Sequence, residues 1–341
     1  MSKKSYWIGL AISLLFLFLF LRKMDWSEVW HILRGINLIY ILPLMLVNFL
    51  TILIRAKRWE YLLRPIKKIP LSELYQVMAI GFMANYLLPA RVGELLRAFL
   101  LGSRLRISKT ASLATIVVEK VFDGFTIMLL LVALLLFMPF PAGRSAFFNQ
   151  DSVKLAGLAG FLFYLAVLVV LLLLRFHNEP INRLFGFILQ PFPARLALKV
   201  REKLDAFAFG LDMLKSPRDL LLAALYSFLV YGVTVLLLYF LFFPFHIKLS
   251  LLSALFLMVA ILFGIAIPSA PGFIGTFHWV CAAALIFLGV EENRAKSYAV
   301  MLWFVSFIPI TSLGLFLLWK EGLSLKGLRQ DTSEAAGPSQ D

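Results

Sequence analysis

The stretch 84–101 reads A-N-Y-L-L-P-A-R-V-G-E-L-L-R-A-F-L-L, and it decides how the rest of the chain is interpreted. It lies in a long apolar run, yet it holds three charged residues and two helix breakers: Arg91, Glu94, Arg97, Pro89 and Gly93. A charge at the bilayer centre costs about 2.5–3.5 kcal/mol on insertion scales. Such a segment is tolerated where the backbone breaks and its charges face protein or a wet cavity. The stretch therefore predicts an interrupted membrane segment with a polar site.

The composition of the whole chain indicates an integral membrane protein. Of the 341 residues, 61% are hydrophobic and 15% are charged, whereas soluble domains have roughly 45–50% apolar and about 25% charged residues. Several apolar runs approach the roughly 18 residues that a membrane-spanning helix needs. Cys281 is the single cysteine, which excludes an intrachain disulfide and a cysteine metal cluster. The charge of +14 is assigned to one side of a membrane rather than to nucleic acid.

The apolar runs predict an all-α polytopic membrane protein, a single domain over residues 1–320. It has about seven spanning helices and two helical hairpins that enter the membrane and return. Six of these spans are assigned to individual runs: 6–21, 38–54, 110–138, 153–174, 219–243 and 294–319. The hairpins are 71–101 and 251–289, since their second arms are too short to cross; ten residues of helix extend only about 15 Å. The alternative is that both are ordinary helices kinked by Pro and Gly, which are common in membranes.

The Lys and Arg distribution predicts the orientation. With both hairpins returning, the segments on the side of the N-terminus hold 22 Lys and Arg, against 7 on the other side. Among the former is the connecting segment 55–70, a basic cluster that includes Arg55 and Arg58. The positive-inside rule then places both termini in the cytoplasm of a plasma (inner) membrane protein. A retained first helix is expected, because no small-residue cleavage site follows it. The basic segment 175–218 becomes a cytoplasmic, partly amphipathic surface segment, and 321–341 a disordered cytoplasmic tail.

This topology opens the first hairpin to the cytoplasm and the second to the outside. Two interrupted segments of opposite orientation indicate an inverted repeat, as in transporters whose site lies near the membrane midplane. The second break, at 268–275, is rich in Pro and Gly and is followed by a histidine. The residues assigned to this half of the site are Pro271, Gly272, Gly275 and His278. His278 is interpreted either as a group that titrates near neutral pH or as a satisfied interfacial histidine.

The first break has the chemistry of an anion site. Arg91 and Arg97 can donate paired hydrogen bonds to a phosphate, and the amides at the start of the return helix favour an anion. Glu94 is three residues from Arg97 and can orient an arginine. Alternatively, Glu94 and Arg97 only neutralise each other so that the hairpin packs. Asn85 and Gly93 complete this half of the site.

Two carboxylates, Glu119 and Asp123, lie four residues apart on one face of the next span. They are predicted to form salt bridges with Arg91 or Arg97, because unpaired buried acids are costly. The alternative is that the pair shares and carries a proton. Common catalytic and phosphate-binding motifs are missing from the sequence, so neither catalytic residues nor a cofactor nor a metal is predicted.

Three motifs stand in order along the chain: N-Y-L-L-P-A-R-V-G-E-L-L-R at 85–97, V-V-E-K-V-F-D-G at 117–124 and P-S-A-P-G-F-I-G-T-F-H at 268–278. Together they resemble the lysylphosphatidylglycerol synthase transmembrane-region family of flippase-like membrane proteins, over roughly residues 5–320. The family pattern is P-x-R-x-G-E-x-x-R, then E-R-x-x-D, then P-x-x-P-G-G-x-G followed by an acid. Here Lys120, Phe273 and His278 replace the pattern's arginine, second glycine and acid.

The resemblance implies lipid translocation. The predicted function is therefore binding and movement of an anionic phospholipid or a polyprenyl-phosphate lipid between leaflets. The runner-up is a membrane-embedded glycosyl- or aminoacyl-lipid transferase, although no donor motif is visible. A third interpretation is a non-transporting subunit that docks a cytoplasmic enzyme through 175–218. The expected partners are thus a lipid phosphate headgroup and membrane lipids, with a cytoplasmic enzyme in the third case and nucleic acid in none.

Overall fold

The structure is a computed structural model that describes residues 3–22, 24–88, 92–138, 150–176, 194–267 and 269–321. All regular elements within these ranges are helices. The α-helices are α1 (Lys3–Leu21), α2 (Trp26–Arg34), α3 (Leu38–Leu63), α4 (Leu71–Leu87), α5 (Gly93–Leu105), α6 (Lys109–Phe137), α7 (Gln150–Phe176), α8 (Ala194–Gly210), α9 (Pro217–Phe242), α10 (Leu251–Ala266), α11 (Thr276–Phe287) and α12 (Glu292–Lys320).

Five of these segments are long and apolar enough to cross a membrane: Leu38–Leu63, Lys109–Phe137, Gly157–Leu174, Pro217–Phe245 and Glu292–Lys320. Shorter apolar helices occupy Leu10–Leu21, Leu251–Ala266 and Pro271–Phe287. The long helices are exposed where they would meet lipid; α7, for example, exposes Leu158, Phe163 and Val170. The predicted all-α polytopic membrane architecture is confirmed.

Helix α3 extends farther than the sequence predicted. It begins after Asn37, whose side chain accepts the amide of Ile39, and it continues to Leu63 instead of ending at residue 54. The reason is that its buried face persists: Ile52, Ala56, Trp59 and Leu63 recur at helical spacing and are almost completely buried. The predicted loop cations at the start of 55–70, among them Arg58, therefore lie inside a helix.

The first predicted hairpin is formed by α4 and α5. Gly81 of α4 lies against the Arg97 side chain, and Gly93 of α5 lies directly against the Gly81 carbonyl and Asn85. Contacting residues have increasing numbers along α4 and decreasing numbers along α5, so the two helices are antiparallel. A methyl group at Gly93 would overlap the Gly81 carbonyl oxygen. The glycine permits backbone contact at the point where the hairpin closes.

The second hairpin, α10 and α11, is built in the same way. Gly264 packs against Val280, and Phe256 lies 5.6 Å from Phe287 between ring centroids. These contacts again run antiparallel. Between the helices, Pro271–Phe273 forms a single 3-10 turn.

The two hairpins belong to two matching halves of the chain. We call α3–α6 the first repeat and α9–α12 the second repeat. In chain order, the first repeat's helices have 26, 17, 13 and 29 residues, and the second repeat's have 26, 16, 12 and 29. Each repeat is thus a long helix, a hairpin and a second long helix.

The repeats run in opposite directions. Arg58 of α3 donates to Ser227 of α9, and Arg64, near the end of α3, pairs with Asp219, near the start of α9. The equivalent helices α3 and α9 are therefore antiparallel neighbours, which makes the repeat inverted.

The inverted repeat opens the two hairpins at opposite ends of the bundle. Arg104 at the open end of the first hairpin bonds Glu73 and also Glu321 at the end of α12. Lys296 and Tyr298, near the start of α12, contact Arg22 and Leu238 at the other end. The hairpin tips meet in between, where Tyr86 packs against Phe273 with ring centroids 6.2 Å apart.

Helices α1 and α8 pack around this pair of repeats. The hydroxyl of Ser13 in α1 accepts the backbone amide of Ala270 in the second break. Gly210, at the end of α8, lies against the backbone of Ala111 in α6. The last part of the segment 175–218 is therefore packed on the bundle. The amphipathic run predicted around 185–189 and the tail from residue 322 lie outside the described residues.

Candidate functional site

A ladder of alternating charges lies where α3, α5 and α6 meet. Arg97 donates to Glu119 at 2.7 Å, and Arg58 contacts Glu119 at 2.9 Å and Asp123 at 2.5 Å. Arg58, Arg97 and Glu119 are 0–1% exposed, and Asp123 is 7% exposed. The desolvation of each buried charge is offset by an opposite charge in direct contact.

The ladder continues toward the surface of the cluster through Lys120. Its ammonium lies 2.9 Å from Glu94 and 3.8 Å from Asp123. Glu94 and Lys120 are partly exposed, with side-chain exposures of 25% and 37%. These two residues therefore form the accessible end of the ladder.

The alternative in which Glu94 and Arg97 only neutralise each other is corrected by this geometry. Helix α6 offers each of them an opposite charge, and each takes its partner there. The predicted bridge from Glu119 to Arg97 is confirmed. Asp123 instead bridges to Arg58, which the sequence interpretation had placed in a loop.

Arg97 is also held from the side opposite its carboxylate. Its guanidinium carbon lies 4.3 Å from the ring centroid of Trp59, a cation–π contact that a planar guanidinium favours. The indole of Trp59 is itself fixed by a 2.9 Å hydrogen bond to Thr115. Arg97 is thus an internal, fixed group, whereas Lys120 and Arg55 are partly accessible cations among the described residues of this region.

A cavity of about 440 Å³ lies between the two repeats. Its size is within the roughly 300–1,000 Å³ typical of small-molecule sites. The predicted site residues that line it are Asn85, Glu94 and Asp123. The rest of the polar lining includes Asn48, Thr51, Arg55, Lys120, Tyr231, Thr234 and Ser306.

Equivalent positions of the two repeats face each other across this cavity. Counted from the helix starts, Arg55 of α3 corresponds to Thr234 of α9, Glu94 of α5 to Phe277 of α11, and Asp123 of α6 to Ser306 of α12. All six residues line the cavity. The cavity therefore lies at the centre of the inverted repeat, with an unlike residue in each pair.

Other predicted site residues surround this cavity without lining it. Gly93, Arg97 and Glu119 lie behind its first-repeat wall, and Pro271, Gly272 and Gly275 shape the second break. Gly275 has φ +93° and lies directly against the Ser13 carbonyl, so only glycine fits there without strain. Arg91, together with Pro89 and Pro268, lies outside the described residues.

His278 lies among aromatic rings. It is 8% exposed, and its ring centroid is 5.4 Å from Phe20 and 5.7 Å from Trp303. Within the described part of the chain, Nδ1 has no hydrogen-bond partner. Trp303 donates to the Gly272 carbonyl at 2.8 Å and fixes the break beside it.

Arg55 and Arg58 are the residues that the sequence analysis missed. Both were counted as loop cations beside a membrane span. The feature that would have located them is the apolar spacing of Ile52, Ala56 and Trp59, which continues the helix past residue 54. In the described residues, groups of three or more His, Cys, Asp or Glu that could hold a metal ion are absent.

The walls of the cavity differ in the groups that they can bind. The charged wall can bind a polar or anionic group, while the remaining lining is mainly hydrocarbon and aromatic, with a few hydroxyl and amide groups. Such a cavity suits a ligand with a charged head and an apolar body.

Comparison with known proteins yields relatives along almost the whole chain. A UPF0104 membrane protein of Methanothermobacter thermautotrophicus is 24% identical over 302 residues, which cover 85% of this chain and 87% of that protein. A UPF0104 membrane protein of Pyrococcus horikoshii is 24% identical over 293 residues, covering 82% and 87%. No solved structure matches the chain. Residues 6–314 match the family described as the lysylphosphatidylglycerol synthase TM region, and the chain belongs to this family.

Proposed function

We propose that this protein binds an anionic phospholipid or a polyprenyl-phosphate lipid in the central cavity and moves it between the leaflets of the plasma (inner) membrane. The observation that carries the proposal is the cavity itself. It lies between inverted repeats, and charged side chains of the first repeat line it beside apolar side chains of the second. Intramembrane ionisable residues are expensive and generally serve function.

The inverted repeat supports movement rather than binding alone. Two hairpins that open at opposite ends and meet at their tips can expose one central site to either side in turn. The contact between Tyr86 and Phe273 lies at this meeting point. In the proposed orientation, both termini and the open end of the first hairpin face the cytoplasm, as the 22 to 7 distribution of Lys and Arg favours.

The residues divide into two roles in this proposal. Lys120 and Asn85 contact the headgroup, because they line the cavity and are partly exposed. Glu94 also lines the cavity and positions the Lys120 ammonium, which lies 2.9 Å away. Arg58, Arg97, Glu119 and Asp123 hold this wall in place through the buried ladder. The Arg97–Glu119 pair is then a positioning pair and not a headgroup contact.

The test is lipid movement in liposomes that contain the purified full chain. Phosphatidylglycerol labelled on an acyl chain with a nitrobenzoxadiazole group is incorporated, and dithionite then reduces the label that reaches the outer leaflet. The wild type should expose the protected inner-leaflet label faster than protein-free liposomes. Lys120→Gln should slow this exposure at least about tenfold, because it removes a cation that contacts the headgroup. Glu94→Gln should slow it as well, because it removes the carboxylate that positions Lys120.

Arg106→Gln is the matched control, because Arg106 is an exposed cation at the end of α5 and is outside the cavity lining. It should leave the rate unchanged. If the wild type, Glu94→Gln and Lys120→Gln expose the label at equal rates, the assignment of Glu94 and Lys120 to the site is wrong. A wild-type rate equal to that of empty liposomes, with and without an imposed membrane potential, would remove the transport proposal.

A further inference from the structure

We infer that the cavity binds a phosphate-headed amphiphile in one fixed orientation, with the phosphate at Arg55 on the first-repeat wall and the hydrocarbon chain against the second-repeat wall. The inference rests on the proposed function and deepens it. It names the class of ligand, its direction in the site and a headgroup residue outside the three sequence motifs.

The first step is the distribution of charge around the cavity. Among the described residues, the four charged ones that line it belong to the first repeat: Arg55, Glu94, Lys120 and Asp123. The described second-repeat lining holds no charged residue, and its hydroxyls are those of Tyr231, Thr234 and Ser306. The remainder of that wall is apolar, with Ile261, Leu262, Phe263, Phe273 and Phe277 among its residues. A ligand with one charged end and one apolar end fits this cavity in one direction only.

The second step is the state of each cation in the cluster. Arg58 and Arg97 are buried and paired, and Lys120 is shared between Glu94 and Asp123. Arg55 differs from all of them. Within the described ranges, no carboxylate lies within 4.0 Å of its guanidinium, and its charged group rests on the face of Phe82, 5.0 Å from the ring centroid. Its planar set of N–H donors is therefore left for a ligand.

The third step is the charge balance of the whole cluster. The described groups are four cations, Arg55, Arg58, Arg97 and Lys120, and three carboxylates, Glu94, Glu119 and Asp123. The excess is one positive charge, and it is located at Arg55. A phosphodiester carries one negative charge and presents two equivalent oxygens to a guanidinium. This match favours a phosphodiester headgroup without a compensating cation, such as that of phosphatidylglycerol, over a zwitterionic or neutral headgroup.

The fourth step concerns the chain of the ligand. The equivalents of Arg55, Glu94 and Asp123 in the second repeat are Thr234, Phe277 and Ser306, so this wall is uncharged at each matched position. Burial of hydrocarbon against such a wall is favourable where water is displaced. The wall therefore holds the part of the chain next to the headgroup, and the rest of the chain continues into the bilayer.

The test is equilibrium binding of lipids to the purified full chain in detergent, read by displacement of fluorescent phosphatidylglycerol. The competitors are dioleoyl phosphatidylglycerol, dioleoyl phosphatidylcholine and the chainless glycerophosphoglycerol. The wild type should prefer phosphatidylglycerol to phosphatidylcholine and bind the chainless compound weakly. Arg55→Gln should reduce the preference for phosphatidylglycerol about tenfold, the effect of one charge-assisted hydrogen-bonding group. Arg55→Lys should fall in between, because it retains the charge and loses the planar donors.

Arg106→Gln serves again as the control and should keep the wild-type preference. An Arg55→Gln variant that elutes as a folded protein and keeps the preference would overturn the headgroup assignment. If chainless glycerophosphoglycerol competes as well as the dioleoyl lipid, the inference that the ligand is an amphiphile is wrong. This experiment measures binding at equilibrium and not transport. If the protein shows the expected binding but does not move lipid in liposomes, only the proposed transport is refuted.

The orientation has its own test in the unaltered protein. Phosphatidylglycerol with a photoactivatable diazirine near the carbonyl end of an acyl chain is bound and irradiated, and the labelled peptides are identified by mass spectrometry. Labels should concentrate on α10, the second break and α11. Labels concentrated on the α4–α5 hairpin would reverse the proposed direction and overturn the inference.

Discussion

The two hairpins have nearly the same length and opposite chemistry. The first, α4–α5, carries Glu94 and Arg97, which pair with Lys120 and Glu119 of α6. The second, α10–α11, contains no Asp, Glu, Lys or Arg between residues 251 and 287. Since the second folds into the same arrangement without charge, the architecture does not require the ladder. The cost of burying the ladder in the first hairpin is therefore better explained by the site than by the fold.

The hairpins also close in different ways. In the first, backbone meets backbone, since Gly93 lies against the Gly81 carbonyl. In the second, Gly264 meets the side chain of Val280, whose atoms would lie 2.7 Å from an added methyl group. A side chain can rotate away, whereas a carbonyl moves only with its helix. The first hairpin is thus more rigidly defined at its closure than the second.

The largest effect is expected in the chemical labelling of cysteines at the ends where the hairpins open. Single cysteines replacing Lys68 or Ser103 lie at the open end of the first hairpin, and cysteines replacing Lys248 or Arg294 lie at that of the second; all four positions are exposed. In sealed vesicles of one orientation, a membrane-impermeant maleimide should label one pair and leave the other unlabelled. Native Cys281 is buried and should stay unlabelled in both cases. Labelling of residues 103 and 248 from the same side would contradict the inverted repeat.

The next largest effect is the loss of stability expected when Arg58 is removed from the ladder of charges. Arg58→Ala should lower the free energy of unfolding by about 3–5 kcal/mol, because it leaves buried carboxylates short of a partner. A titration with sodium dodecyl sulfate measures the change. The equivalents of Arg58 and Asp123 in the second repeat are Leu237 and Ser306, so Arg58→Leu combined with Asp123→Ser copies the uncharged half. This double variant should recover much of the loss. A double variant as unstable as Arg58→Ala would mean that the charges do specify the fold.

The sequence predicted the helices and both hairpins because the apolar runs and the Pro/Gly breaks are local features. It also predicted the bridge from Glu119 to Arg97, since buried charges of opposite sign on adjacent helices must pair. It failed at Arg55 and Arg58, where a run of cations had the appearance of a loop while the buried face of α3 continued through Trp59. Which carboxylate faces which cation depends on the rotation of each helix, and the spacing of Glu94 and Arg97 along α5 does not contain that information.

A smaller effect is expected where the hairpins close. Gly93→Ala should destabilise the protein by about 3 kcal/mol, the upper part of the range for overpacking, because backbone must move. Gly264→Ala should cost about 1 kcal/mol, because Val280 can adjust. Gly232→Ala, with nothing within 4 Å of the added methyl group, is the control and should be neutral or slightly stabilising. The same detergent titration compares all three, and equal losses for Gly93→Ala and Gly264→Ala would contradict the difference in rigidity.

The smallest effect isolates the contact that α1 makes with the second break. The Ser13 hydroxyl accepts the Ala270 amide at 2.6 Å, so Ser13→Ala leaves that amide without its acceptor and should cost about 1 kcal/mol. Hydrogen exchange measured by mass spectrometry should quicken in peptides covering 269–275 and stay unchanged in peptides of the α4–α5 hairpin. Faster exchange in both hairpins would show that their tips are stabilised as one unit. Faster exchange in the second alone would show that α1 holds one half of the central site independently of the charged half.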